Sequence, residues 1–199
     1  MNRESLNKKL YSQGEYVGDI KLSGDKNKDV EIVNEYLDER GLRKPPSKIN
    51  TMYAQATAFS KTASYVYEQS LLKKPVDPQG VSPFIVNGVF SAEMYLKTML
   101  EIHEKNEHGH NLSALFKLLP NKVKDKINKK KLKFEVEYGI QSGISFIKHI
   151  KECANAFVDW RYMHEKGELH FDIQKLIFIL HTLHEVCNEE MDILKLTER

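Results

Sequence analysis

The sequence predicts an all-α protein: an antiparallel bundle of four to five helices over residues 49–199, preceded by a polar, partly irregular extension over residues 1–48 with one short helix. Three observations carry this expectation. Apolar residues recur at three- to five-residue steps through four long segments after Ile49, the spacing of a helix face turned to a core. The turn EKGELHFD between the last two of these segments is short, and short links join antiparallel neighbours. Pro45-Pro46 forces an open backbone and marks the boundary between extension and bundle.

Within the extension, Gly14, Gly18, Gly24 and Gly41 interrupt a polar chain. A short helix is expected from Asp29 to Arg40, with Val30, Val33 and Leu37 on one face and Gly41 ending it. The segment Tyr16–Leu22 suits an extended backbone. The first long helix runs from Asn50 to Lys73, with Met52, Ala56, Phe59, Ala63, Val66 and Leu71 as its stripe. The link PVDPQGVSP follows. In the second helix Ser82 caps, Pro83 takes the first position, and Ile85, Val89, Ala92, Leu96 and Leu100 face inward.

A short helix, Leu112–Leu119, stops at Pro120, and Asn121–Lys131 is basic and weakly helical. The alternation LKFEVEY over Leu132–Tyr138 is a strand pattern without an evident partner, so an irregular or extended connector is expected there. Two long helices close the chain. Phe146, Ile150, Cys153, Phe157, Trp160 and His164 face inward on the first. Ile173, Leu176, Leu180, Leu183, Cys187, Met191 and Leu194 do so on the second. Gly167 ends the former and Asp172 caps the latter.

Net charge is only +2, so no global field advertises nucleic acid or membrane. Cys153 and Cys187 sit inside helical patterns and read as reduced core thiols rather than a disulfide framework. The N-terminal stretch MNRESLNKKLYSQGEY has no apolar run of a signal peptide, and Leu176–Leu180 is far too short to span a bilayer. A cytoplasmic protein, with no membrane partner, is the expectation.

The run FVDWRYMHE, Phe157–Glu165, is the most unusual in the chain. Phe157, Arg161 and His164 are spaced four and three and share a flank, and Trp160 shares a face with His164. A planar guanidinium beside an imidazole suits phosphate, because one binds its oxygens and the other moves a proton near neutral pH. A purely structural reading also fits: Arg161 pairs with Glu165, Trp160 packs, and His164 is a cation at a helix end.

His103, His108 and His110 cluster with Glu101, Glu104 and Glu107, and His181 and His184 face similarly on the last helix. A carboxylate-bridged metal bundle needs Glu-x-x-His on two helices and two further glutamates, which this pattern lacks, so no metal is expected. Seven lysines between Lys122 and Lys133 crowd around one acid, Asp125. Lys129, Lys130 and Lys131 are the candidate RNA contacts, against the alternative of a solvated face. Glycine-rich phosphate loops, nucleophile elbows and paired-cysteine zinc spacings are missing, and no cofactor is implied.

Three stretches together resemble the HEPN superfamily of small helical-bundle proteins of prokaryotic defence, toxin–antitoxin and RNA-processing systems. NGVFSAEMYLKTML (Asn87–Leu100) is similar to the family's second core helix. HGHNLSALFKLLP (His108–Pro120) is similar to the turn and short helix after it, and FVDWRYMHE to the helix end that carries the family's arginine. The likeness spans residues 50–191. It implies a four- or five-helix bundle, commonly a homodimer, with a nucleotidyltransferase or antitoxin as a further partner. In active members, Arg and His of an Arg-x(4–6)-His motif from two protomers cleave RNA without metal. By position Arg161 matches that arginine, whereas His164 follows it after two residues and His170 after eight, outside the motif's spacing.

The leading expectation is therefore a module that binds RNA or a nucleotide. Arg161 holds phosphate, Asn87, Glu93 and Trp160 orient or line the cleft, and the lysine run adds attraction. One alternative is a metal-independent endoribonuclease, with Arg161 and a displaced His164 as catalytic candidates. Another is a partner-binding helical protein without a ligand.

Overall fold

The computed structural model describes residues 6–12, 15–43, 47–105, 108–153 and 171–197. It is mostly helical, in keeping with the all-α expectation, with one small two-stranded sheet. The chain divides into two compact units, residues 1–46 and 47–199.

In the first unit, strands β1 (Leu6–Ser12) and β2 (Glu15–Leu22) form an antiparallel hairpin. Leu6 stands opposite Leu22 and Ser12 opposite Glu15, with a register shift between Leu10 and Tyr11. β2 is the segment expected to be extended. Its partner β1 was not foreseen, because LNKKLYS carries no apolar alternation. Helix α1 (Lys26–Glu39) follows. The Asp25 carboxylate accepts from the amides of Asn27 at 3.0 Å and Lys28 at 3.3 Å, satisfying donors the helix cannot. Gly41, at φ +62°, takes the left-handed conformation that ends it. The expected inward face needs correction: Val30 is 60% exposed, and Tyr36 reaches the hairpin instead, its hydroxyl donating to the Val17 carbonyl at 3.3 Å.

The second unit begins with α2 (Lys48–Val66), which continues into a π-helical turn, Tyr67–Leu71. Ala56 and Ala63 are fully buried, and their small size lets α2 lie close along α3 (Val81–Ile102). The Ser91 hydroxyl donates to the Ala56 carbonyl at 2.8 Å across this contact. The start of α3 differs from expectation. A 3-10 turn, Pro78–Gly80, leads directly into Val81, and Asp77 rather than Ser82 caps that turn by accepting from the Gln79 amide at 3.0 Å.

Helix α3 is the centre of the unit, buried on more than one face because it packs on α2, α4 (Leu112–Leu118) and α7 (Ile173–Thr197). Gly88 permits the last of these contacts. A Cβ there would stand 2.8 Å from Leu176 Cδ2 and 3.2 Å from Leu180 Cδ1. Asn111 caps α4 (Leu112–Leu118), its side chain accepting from the Ala114 amide at 3.0 Å.

Helix α5 (Asn121–Glu137) corrects the connector expected at Leu132–Tyr138. An alternating strand would turn Leu132, Phe134 and Val136 to one side. Instead Val123, Ile127 and Phe134 are buried at helical spacing, while Leu132 is 58% and Val136 81% exposed. Packing along α7 selects the helical period over the local alternation. Helix α6 is described over Phe146–Cys153, with Phe146, Ile150 and Cys153 buried as expected. The rest of its predicted stripe, Phe157, Trp160 and His164, and the predicted stop at Gly167, lie outside the described residues. Asp172 does cap α7, accepting from the Lys175 amide at 3.0 Å.

The core is built on Tyr95, Phe84, Phe134, Phe146 and Phe178, all essentially inaccessible. Each such side chain contributes about 1.5–3 kcal/mol on burial. Cys153 and Cys187 are free and buried. Burial pushes the Cys153 thiol up to about 12 and raises Cys187 as well, so both are packing groups rather than nucleophiles. Among the described residues, no helix is long and apolar enough to cross a membrane.

Candidate functional site

Glu93 lies mid-way along α3, only 2% exposed. A carboxylate so buried needs partners, and among the described residues it has two. Lys97, one turn on, approaches to 2.9 Å, and His110 Nδ1 lies 3.0 Å away. His110 stands in the turn before α4, just ahead of the Asn111 cap. The stretches Asn87–Leu100 and His108–Pro120 therefore meet at one carboxylate.

Beside this contact is a shallow recess of about 200 Å³, lined by Lys48, Lys97, Glu101, Lys105 and His108 among others. Lys48 bonds Glu101 at 2.7 Å. Lys97 bridges this recess to Glu93, Lys48 to Glu101, and Lys105 brings a third ammonium to its lining. Such a surface can hold an anionic oxygen.

The other predicted site residues fare differently. Asn87 is not gathered with Glu93. The two lie about 120° apart around the helix by its turn angle, and the Asn87 amide donates to the Pro83 carbonyl at 2.7 Å. Arg161, Trp160 and His164 lie outside the described residues, as does His170.

The lysine run is largely committed to the protein itself. Lys131 is 7% exposed and donates to Glu135 at 2.5 Å and to the Ile144 carbonyl at 2.9 Å. Lys130 pairs with Glu189 at 2.6 Å on α7, which raises its pKa against the opposing effect of burial. Lys126 reaches Glu190, and Lys124 donates to the Lys117 carbonyl. On α5, Lys126, Lys130 and Lys131 thus meet acids of the protein, while Lys122 and Lys133 are exposed. Lys129 stays on the surface.

The histidines diverge in the same way. His103 Nε2 lies 2.8 Å from Glu190, and His110 goes to Glu93. Among the described residues, no group of three metal-binding side chains forms. Glu190, 4% exposed on α7, thus joins the C-terminal end of α3 to α5 through His103 and Lys126. Burial alone would raise its pKa, but bonds from Lys126 and His103 outweigh that and hold it below the usual carboxylate range.

Sequence reasoning missed a second constellation, where α7 faces α2. The Tyr95 hydroxyl and His184 Nδ1 share a hydrogen bond of 2.8 Å, and the Tyr138 hydroxyl and His181 Nδ1 one of 2.6 Å. The Tyr53 hydroxyl donates to the Asn188 side-chain amide oxygen Oδ1. The His181 ring also stacks on Phe134, with centroids 4.1 Å apart. Burial lowers the pKa of His184 and raises those of Tyr95 and Tyr138, so all three are neutral at pH 7. The three-residue spacing of His181 and His184 was visible, but their tyrosine partners come from α3 and the end of α5. No local pattern reveals those pairings.

Comparison with protein-family models, curated proteins and solved structures gives no match.

Proposed function

We propose that the chain is a HEPN-like helical bundle that binds RNA or a nucleotide through its phosphate. The observation that carries this reading is the contact of His110 with Glu93 at 3.0 Å. It joins two of the three stretches on which the resemblance rests, although 17 positions separate Glu93 from His110 in the chain. The lysine-bearing shelf beside it, with Lys48, Lys97 and Lys105, supports an anionic ligand there. In this reading Glu93 orients Lys97 and His110, and Arg161 supplies the guanidinium that grips phosphate. The spacing of His164 from Arg161 favours binding over cleavage.

The test is the shift in melting temperature on adding mononucleotides and short single-stranded RNAs, since a ligand of the folded state stabilises it by mass action. A saturable upward shift is expected for the wild type. In Arg161→Ala the shift is lost, with the ligand-free melting temperature kept. Equal shifts in both proteins would refute the role given to Arg161, and the absence of any shift would refute the reading as a whole.

A further inference from the structure

The facing surfaces of α2 and α7 enclose two recesses of about 300 and 280 Å³. They share Ser60, Ser64, Glu68 and His184, so they are parts of one cleft. Phe84, Ala63, Ile177 and Leu180 give the larger recess an apolar floor, and Tyr67 and Tyr138 add aromatic walls. Polar groups converge above that floor: the Ser60 and Ser64 hydroxyls, the two imidazoles and the Glu68 carboxylate. An apolar cavity with a few convergent polar groups is the usual form of a small-molecule site.

Further features mark this cleft as built rather than incidental. Its rim is the π-helical turn Tyr67–Leu71, and such turns recur at functional positions. Hydrogen bonds from Tyr138 and Tyr95 fix the orientation of His181 and His184.

The chemistry selects the ligand class. Among the described residues, no lysine or arginine lines the larger recess, and its carboxylate repels phosphate. Flat aromatic walls favour a planar ring by stacking. Imidazole and serine groups match ring nitrogens, and the Glu68 carboxylate accepts from an amino group.

We infer that this cleft binds a planar nitrogen heterocycle bearing an exocyclic amino group, with no phosphate inside the larger recess. The inference is independent of the phosphate-binding reading above, because it uses neither Arg161 nor the Glu93 shelf.

Calorimetric titration of the full chain with adenine and with purine, its analogue lacking the amino group, tests it. Adenine is expected to bind saturably and at least fivefold more tightly than purine. Glu68→Gln, an exposed rim change, should narrow that preference to less than twofold. Ser64→Tyr, also at the rim, should abolish adenine binding without moving the ligand-free melting temperature. Failure of adenine to bind at millimolar concentration would overturn the inference. So would equal affinity for purine and adenine, or unchanged adenine binding in Ser64→Tyr.

Discussion

Replacing Lys131 by Met should unfold the bundle more readily without touching ligand affinity. Lys131 is 7% exposed and Glu135 2%, and their charges meet at 2.5 Å one helical turn apart. Removal of the ammonium strands a buried carboxylate, which costs about 3–5 kcal/mol when a buried pair is broken on one side. The Ile144 carbonyl also loses its 2.9 Å donor, a further cost of about 1 kcal/mol. Methionine fills most of the vacated space, so packing offsets part of this. A net loss of about 3 kcal/mol corresponds to a drop of roughly 6–12 °C in melting temperature for a chain of this size. The double variant Lys131→Met with Glu135→Leu removes both charges and should recover most of the loss, since apolar replacement of a buried pair is often close to neutral. Thermal unfolding of wild type, Lys131→Met, Glu135→Leu and the double variant gives a coupling energy of at least about 2 kcal/mol on this account. A Lys131→Met protein that melts like wild type but binds RNA more weakly would refute the reasoning and return Lys131 to the surface.

Glu190→Gln weakens the link from α7 to Lys126 and His103 and should cost about 2 kcal/mol by chemical denaturation, less than a fully buried pair because both partners are partly exposed. His149 is 2% exposed and, among the described residues, neither ring nitrogen is bonded, so His149→Leu should stabilise the protein by about 1 kcal/mol in the same assay. Burial, and secondarily Lys175, lowers the pKa of His149, and burial lowers that of His184. A histidine whose folded pKa lies below its unfolded value near 6.5 contributes stability above that pH and loses it as pH falls further. Melting temperature should therefore decline on acidification from pH 7 to pH 5, and His149→Leu should flatten part of that decline. Gly88→Ala gains helix propensity but drives a methyl into Leu176 and Leu180 of α7, for a net loss of about 1 kcal/mol.

What the sequence revealed follows the range of the interactions involved. The stripe Ile85, Val89, Ala92, Leu96 and Leu100 was legible because one period organises it, and all five residues are buried. The Asn111 to Pro120 segment was legible through its turn residues. Leu132–Tyr138 misled because three alternating apolar residues mimic a strand, whereas the arbiter is burial of Phe134 against residues of α7 such as His181. In the lysine run, Lys131 meets Glu135 one turn on, but the counter-charges of Lys126 and Lys130, namely Glu185, Glu189 and Glu190, lie more than fifty residues away, and composition counts charges without showing which acids they meet. Glu93 and His110 each stood out in the sequence, but not as partners, since that contact exists only once α4 has docked on α3. The Tyr–His pairs of the α2–α7 cleft lay beyond any local reading.

The most direct test of the account is the affinity of a fluorescent 12-nucleotide RNA, measured by anisotropy at 50 and 200 mM salt. Wild type, Arg161→Ala and Lys131→Met are compared at a temperature where all are folded. The account predicts binding that weakens with salt, falls at least tenfold in Arg161→Ala, and is unchanged in Lys131→Met. Binding that depends on Lys131 and not on Arg161, or no binding by the wild type at low salt, would contradict it.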